Sequence, residues 1–301
     1  MRSVDALRIG TRESRLALAQ AAIAAEALRS VAGEVTLVPL TTRGDAISAR
    51  QPNGRWVATD GQFTRELERA LLDGDVDLVV HSYKDLPTEP VPGLVIGAVL
   101  ERGDPRDCLL TRDGGDLDDL PFGGRIGTSS PRRAAQLAAM RSDLIAMPIR
   151  GNVESRIRRL EDGQLDGLIL AAAGLDRLGI AVPASARLPL DLMLPAPAQG
   201  ALAIQVRTDD AVLGAAVAAI EHAPTRIAVE AERALLRRIG GGCLAPLGAL
   251  GEVMDGELRL RAALEDTDGT QVRAEACGPA GDPDAVVVQV ATRIEREAVP
   301  A

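Results

Sequence analysis

Strand and helix signals alternate along the first half of this chain, stop at a short polar turn, and then start again. That order constrains the fold more than any single residue does. Residues 7–11 form a short apolar run, Ser14 can cap a helix, and apolar residues at helical spacing extend from Arg15 to about Ser30. A second apolar run covers 35–40, and 63–72 places Phe63, Leu67, Ala70 and Leu71 on one helical face. The run 76–81 (VDLVVH) is a third strand signal and leads directly into Lys84 and Asp85. A βαβαβ order predicts a parallel sheet whose ligands lie beyond the carboxyl ends of the strands, where Asp85 stands.

The polar stretch 101–107 (ERGDPRD) reads as a hinge. Strands then follow at 125–127, 145–148 and 167–170, with helices at 130–140, 153–160 and from about Ala172 to Leu178. Two α/β units of similar size predict two lobes with a cleft between them. Residues 196–200 (APAQG) read as the return crossing and 201–206 as a strand rejoining the first lobe. From Ala223 a long helix runs to about Ile239, and three glycines precede Cys243. Strand runs at 247–250, 258–263 and 271–277 and a helix at 284–295 complete a small α+β domain. The expected division is therefore 1–100 with 200–220, then 104–197, then 223–301. The unpatterned stretch 41–61 reads as a lid.

Composition removes several function classes. A chain of 301 residues exceeds a single ordinary core, which agrees with several domains. With 34 basic and 43 acidic residues its net charge is -9, the wrong sign for a phosphate-backbone binder. Trp56, Tyr83, Phe63 and Phe122 are all its aromatics, too few for a base-stacking surface. No apolar run is long enough to span a bilayer, and Asp5, Arg12, Glu13 and Arg15 interrupt the place of a signal peptide. The expectation is a cytoplasmic protein without nucleic-acid or membrane partners. Cys108, Cys243 and Cys277 are widely spaced, and His81 and His222 are the only histidines. A disulfide framework, a zinc site and a histidine-dependent triad all lack their parts, so no metal is expected. Of the 34 basic residues, 33 are arginine, and the one lysine, Lys84, lies between the one tyrosine, Tyr83, and Asp85. Lysine offers a compact ammonium where arginine offers a fork, so this is either chance within a biased composition or a tight site.

The string 127–133 (GTSSPRR) joins a strand to a helix, with Pro131 suited to the first helical position. Free backbone N–H groups, the hydroxyls of Thr128, Ser129 and Ser130, and the charges of Arg132 and Arg133 suit an anion there. The plainer reading is a capped helix with solvated arginines. Similar strand ends carry Arg150 with Arg156, Gly174 with Arg177, and Arg12 with Ser14. Four arginine-bearing strand ends predict a cationic site in an acidic protein, for a ligand rich in carboxylates or phosphates. No GxxxxGK[ST] loop is present, which favours carboxylates. Cys243 after three glycines is either a small buried hydrophobe or a thiol presented to a site; Cys108 and Cys277, in apolar strand-like company, read as buried.

Taken together, VHSYKDLP (80–87), GTSSPRR (127–133), Arg150-Gly151-Asn152, Ala172-Gly174-Leu175 through Arg177, Gln199-Gly200-Ala201, Ala231-Glu232-Arg233 and Gly241-Gly242-Cys243 resemble the porphobilinogen deaminase, or hydroxymethylbilane synthase, family, in order and spacing along nearly the whole chain. The resemblance implies three domains, the first two like type II periplasmic binding proteins with a cleft and the third a small α+β domain. It implies a monomeric transferase that deaminates porphobilinogen and joins four units head to tail. The growing polypyrrole is carried on a dipyrromethane cofactor held by a thioether to a cysteine, here Cys243. Loss of ammonia from porphobilinogen leaves an electron-poor carbon. Asp85 matches the catalytic carboxylate, which hydrogen-bonds pyrrole N–H groups and stabilises the developing cation.

The same resemblance assigns Lys84, Ser82, Thr128, Ser129, Ser130, Arg132, Arg133, Arg156 and Gly174 to the cofactor. It assigns Arg12, Ser14, Gln20, Phe63, Arg150 and Arg177 to the substrate. The lid departs from the pattern: a GGKG-like motif is replaced by Ala58-Thr59-Asp60-Gly61, and Asp60 would repel carboxylates. Arg55 or Arg65 compensates, or the lid gates only solvent; Arg43 and Asp45 are weaker lid candidates. The reading from another class is a two-lobed carboxylate binder without catalysis. A thiol hydrolase is a further alternative, but Cys243 has no evident histidine partner.

Overall fold

The first strand, β1 (Val4–Arg12), gives way to helix α1 (Arg15–Leu28) at Ser14, whose Oγ accepts a hydrogen bond from Ala17 N–H at 3.3 Å. This is the capping the sequence predicts, and it turns the chain immediately beyond a strand end. The structure is a computed structural model that describes residues 4–42, 64–240, 242 and 245–298. Phe63, Cys243 and the lid positions Arg43, Asp45, Arg55 and Asp60 lie outside the described residues. Two compact units emerge, one of Met1–Gly103 with Ala201–Arg226, the other of Asp104–Gly200 with Ile227–Ala301.

In the first unit β1 lies between β2 (Ala32–Leu40) and β3 (Leu78–Ser82), parallel to both. The sheet continues through β9 (Leu202–Arg207) to β4 (Leu94–Val99), in the order β2-β1-β3-β9-β4. Here the expectation of a parallel sheet needs correction, because β9 runs antiparallel to both of its neighbours. All but the last residue of β9 are buried, and a strand covered on both faces shows no alternation from which its direction can be read. Leu7, Ile9, Leu28, Leu78, Ile204 and Val217 pack into one core, each contributing about 1.5–3 kcal/mol by leaving water. Helix α2 (Arg65–Leu72) closes a smaller cluster through Leu67 and Leu71.

The second unit carries two sheets. One has the order β5-β8-β6-β7, from β5 (Asp107–Thr111), β6 (Arg125–Gly127), β7 (Ile145–Met147) and β8 (Gly167–Ala171). Strand β5, which begins inside the expected hinge, was not foreseen as a strand, and it pairs antiparallel with β8. Helices α3 (Pro131–Met140) and α4 (Val153–Glu161) start at Ser130 and Asn152, whose side chains accept from Arg133 N–H and Ser155 N–H. Helix α5 (Ala172–Arg177) follows β8 without a break.

The other sheet is an antiparallel meander of β10 (Leu247–Met254), β11 (Glu257–Glu265) and β12 (Gln271–Pro279). Helices α7 (Ala223–Ile239) and α8 (Pro283–Glu297) share its core through Leu235, Leu236, Val286, Val290 and Ile294; a short helix, α6 (Ala211–Ala218), belongs to the first unit. Close approach explains two glycines of β10. A Cβ on Gly248 would lie 2.9 Å from the Leu194 carbonyl oxygen, and one on Gly251 would lie 2.7 Å from that of Ala228.

The two described cysteines differ. Cys108 is buried in β5, and burial pushes its thiol up to about 11. Cys277 is exposed, against the expectation of a buried thiol, because alternation along β12 turns it to the solvent face opposite Arg259. Among the described residues no single helix is long and apolar enough to cross a membrane, and no group of three or more His, Cys, Asp or Glu side chains is placed to hold a metal ion.

Candidate active site

In the first unit the end of β3 is assembled from three directions. Leu78, Val79, Val80 and His81 are buried, and the chain then turns through one 3-10 turn, Tyr83–Asp85. Tyr83 is buried and its N–H donates to Ala201 O at 3.0 Å, which pins the turn beside β9. Lys84 is half-buried and Asp85 exposed, so the carboxylate stands clear of the strand that delivers it. Gln20, buried on α1, donates from Nε2 to Ser82 Oγ at 2.7 Å. Ser14, at the start of the same helix, uses its hydroxyl as a cap, and Arg12, half-buried, ends β1.

Behind this edge lies a buried polar chain that sequence reasoning did not anticipate. His81 Nε2 lies 3.1 Å from Gln205 Oε1, and Gln205 also hydrogen-bonds Glu68. An amide oxygen only accepts, so this contact puts the proton on Nε2. Burial lowers the imidazole to about 4; the bond to Gln205 opposes the shift and the Arg12 charge adds to it. Burial likewise raises the Glu68 carboxyl, against its hydrogen bonds to Thr64 and Gln205. His81 stands opposite Ala203 and Gln205 opposite Val79, two residues apart in register and so on one face of the sheet, a contact that no local sequence pattern announces.

The second unit holds the remaining arginines. Thr128 is buried, and its Oγ1 accepts from Ser130 N–H at 3.2 Å. Ser129 Oγ donates to Ile149 O at 2.7 Å and accepts from Ile149 N–H at 2.9 Å, clamping the start of α3 to the segment that leads to Arg150. Arg156 Nε donates to Gly151 O at 2.8 Å. Gly151 has φ +103, a region other residues avoid, and a Cβ there would collide with Ser155. Gly174 lies inside α5, and Arg177 ends that helix with Nη2 donating to Gly200 O at 2.5 Å. Burial lowers the Arg177 guanidinium to about 10, partly offset by Asp176.

Arg132 and Arg133 are not the solvated pair of the plainer sequence reading. They are 3% and 8% exposed, and both face Asp107, which is 0% exposed. Arg133 donates to Asp107 Oδ1 from Nε at 3.1 Å and from Nη2 at 2.6 Å, and to Ile169 O from Nη1 at 2.9 Å. Arg132 donates from Nη1 to Leu194 O at 2.6 Å, and its Nη2 stands 2.8 Å from Asp107 Oδ2. Gln199 adds a bond from Nε2 to Asp107 Oδ1 at 2.9 Å and another to Pro105 O at 2.8 Å. Burial disfavours the ionised Asp107 carboxyl, yet the two guanidiniums and these hydrogen bonds hold it well below the usual carboxylate range.

Asp107 and Gln199 thus hold Arg132 and Arg133, although the sequence marks Asp107 only as a hinge residue and Gln199 only as part of a crossing and of a family motif. The available signal was an acidic residue opening an apolar run, Cys108-Leu109-Leu110. Glu232 does similar work on α7. Its buried carboxylate accepts from Ala198 N–H at 2.5 Å and from Gly251 N–H at 2.7 Å, supporting Ala198 at φ 61.

Chemically, the first unit offers an exposed carboxylate at Asp85 and a half-buried ammonium at Lys84, and the second offers two buried guanidiniums, Arg132 and Arg133, against the one buried carboxylate of Asp107. Residues 7–215 match the family described as porphobilinogen deaminase, dipyromethane cofactor binding domain, and residues 226–296 match porphobilinogen deaminase, C-terminal domain. The chain is 48% identical over 287 residues to the porphobilinogen deaminase of Desulforudis audaxviator, covering 95% of this chain and 93% of that one. It is 46% identical over 300 residues to that of Thermobifida fusca, covering 98% and 92%. Among solved structures, the methionine binding protein MetQ aligns with a TM-score of 0.45 and 13% identity, over 71% of this chain and 89% of that one.

Proposed function

This chain belongs to the porphobilinogen deaminase family, and from that premise we propose how its own residues carry the reaction. The activity is that of a hydroxymethylbilane synthase, a transferase of tetrapyrrole and haem biosynthesis. It deaminates porphobilinogen, joins four molecules head to tail on a dipyrromethane primer, and releases the linear product by hydrolysis.

The residues fit a dipyrromethane. Its acetate and propionate groups need cations, and the second unit holds two buried guanidiniums against one buried carboxylate. Arg132, Arg133 and Arg156, with Thr128, Ser129, Ser130, Gly174, Ser82 and Lys84, are assigned to holding the cofactor, and Cys243 to its thioether. When bound, the cofactor supplies the nucleophilic pyrrole end on which the chain is extended. Arg12, Arg150 and Arg177 are assigned to carboxylates of substrate and growing chain, with Ser14, Gln20 and Phe63 as supporting contacts. Two structural features favour these roles. Gln20 fixes Ser82 through its side chain, and Arg156 is oriented by Gly151 O.

Asp85 is assigned the chemical step. Its carboxylate accepts a hydrogen bond from a pyrrole N–H, offsets positive charge as ammonia leaves, and takes up a proton on a carboxylate oxygen. Lys84, next to it in sequence, attracts anionic substrate. The observation that carries this reading is the exposed Asp85 at the mouth of a strand whose preceding residues are buried. A carboxylate so placed serves no packing purpose.

The division into 1–100 with 200–220, 104–197 and 223–301 is kept as our domain reading, supported by one sheet in each segment. So is a cytoplasmic monomer without nucleic-acid or membrane partners; the net charge of -9 disfavours a nucleic-acid partner. The test is the intact mass of the denatured protein after incubation with porphobilinogen. An excess of two condensed pyrrole units, lost in Cys243→Ser, is the expected result. A protein that gains no mass and consumes no porphobilinogen would leave only a carboxylate-binding module.

A further inference from the structure

Asp176 and Arg177 are neighbours in the sequence, yet the fold gives them different partners. Arg187 holds the exposed Asp176 at two points, donating from Nη2 to Oδ1 at 2.6 Å and from Nη1 to Oδ2 at 3.1 Å. Arg187 Nη1 also donates to Asp104 Oδ2 at 2.6 Å. Arg177, one residue further along α5, donates to the carbonyl of Gly200, and among the described residues it forms an ion pair with no carboxylate. One charge of the adjacent pair is neutralised and the other is not.

Arg106 completes the set around Arg187. Asp104 accepts from Arg106 N–H at 2.9 Å, from its Nε at 3.0 Å and from its Nη2 at 2.7 Å. Two guanidiniums thus meet two carboxylates, and the forked contacts fix direction as well as charge. Burial disfavours the ionised Asp104 carboxyl, yet the hydrogen bonds from Arg106 and Arg187 hold it below its ordinary range. Asp104 is the anchor of the set. It orients Arg187, which follows a 3-10 turn, Ala184–Ala186, and bridges to Cys108 of β5.

Arg177 stands outside that neutral set. It is half-buried, its carbonyl partner cancels no charge, and a cation so placed is costly until an anion meets it. Asp176 is the carboxylate whose charge acts on it. Consecutive residues on a helix do not face each other, so this influence is a field and not a contact. The Arg187 guanidinium offsets that field and leaves the positive potential at Arg177 to another anion. We propose that Arg187, anchored by Asp104, is a positioning residue for substrate: it holds and neutralises Asp176, so that Arg177 keeps its charge open to a substrate carboxylate. This rests on the assignment of Arg177 to substrate given above, and adds to it the residues that keep Arg177 competent.

The experiment measures porphobilinogen consumption by the cofactor-loaded full chain, by Arg187→Gln, by Asp176→Asn/Arg187→Gln together, and by Arg177→Gln. Arg187→Gln is expected to raise KM about fivefold with kcat within about twofold of the parent, because it leaves one uncompensated carboxylate near the binding arginine. That increase should shrink as the ionic strength is raised to about 0.5 M. In the double variant KM should return to within about twofold of the parent, even though a second member of the ionic set is gone. A brace that served the fold alone would behave in the opposite way, since removing its other partner cannot repair it. An unchanged KM in Arg187→Gln, or a double variant no better than Arg187→Gln, would overturn the proposal. An unchanged KM in Arg177→Gln would end the assignment of Arg177 to substrate, and the proposal with it. A parent that consumes no porphobilinogen would end the functional reading as a whole.

Discussion

Acidification weakens this protein in part through one imidazole. His81 is buried against Gln205 and titrates at about 4, against an ordinary value of 6.5. The folded state therefore binds the proton less tightly than the unfolded chain does. The stabilisation from keeping His81 neutral is complete above about pH 6.5 and is lost as the pH falls through the interval down to about 4. Full loss across that interval corresponds to about 3 kcal/mol, and the part between about pH 7 and pH 5 to about 2 kcal/mol. Glu68, on the same chain of hydrogen bonds, acts in the opposite direction because its carboxyl is raised. It is present in parent and variant alike and drops out of their difference.

The perturbation is His81→Gln, which keeps an N–H donor for Gln205 Oε1 and removes the titration. Urea unfolding of both proteins at the two pH values gives four free energies. The parent is expected to lose about 2 kcal/mol more than the variant on going from about pH 7 to pH 5. Equal losses would refute the argument, because His81 would then ionise in the folded protein as readily as in the unfolded one.

Three further outcomes are expected. Asp85→Asn should melt with the parent, because the side chain is exposed, while turnover of porphobilinogen falls about 100-fold or more; near-normal turnover would remove Asp85 from the reaction. Glu232→Ala strands the N–H groups of Ala198 and Gly251, and a loss of about 2–5 kcal/mol in chemical unfolding is expected, whereas a loss under about 1 kcal/mol would show that water replaces the carboxylate freely. Ser130→Ala removes the α3 cap and should cost about 1 kcal/mol by the same measurement, while leaving Arg133 bonded to Asp107.

How much of this was legible from residue order can be seen element by element. Ser14 and Ser130 each announce a helix, and each accepts the capping bond in the structure; Asn152 caps α4 in the same way without having been read as a cap. The long helix from Ala223 to Ile239 and the strand Arg125–Gly127 begin and end as read. Strand β4 and the early start of β5 escaped notice because Pro and Gly nearby signal turns more loudly than four or five apolar residues signal a strand. Cys277 was misread from its own apolar character, although Arg273 and Glu275 alternate with Val272, Ala274 and Ala276 and the same period puts Cys277 on the polar face.

The site divides along the same line. The sequence by itself determined which residues stand at strand ends and helix starts, since a cap or a tight turn depends on atoms within three or four residues of each other. Asp85 beyond β3 and the arginines beside Ser130 and Gly151 follow from that alone. Only the tertiary structure decided that Arg132 and Arg133 face inward onto Asp107, and that Gln199 reaches the same carboxylate. Asp107 is separated from Arg133 by 26 residues and from Gln199 by 92. Contacts over such intervals are set by which sheet edges and crossings meet after the cores close. A buried ion pair therefore leaves no local periodicity to read, whereas a capped turn does.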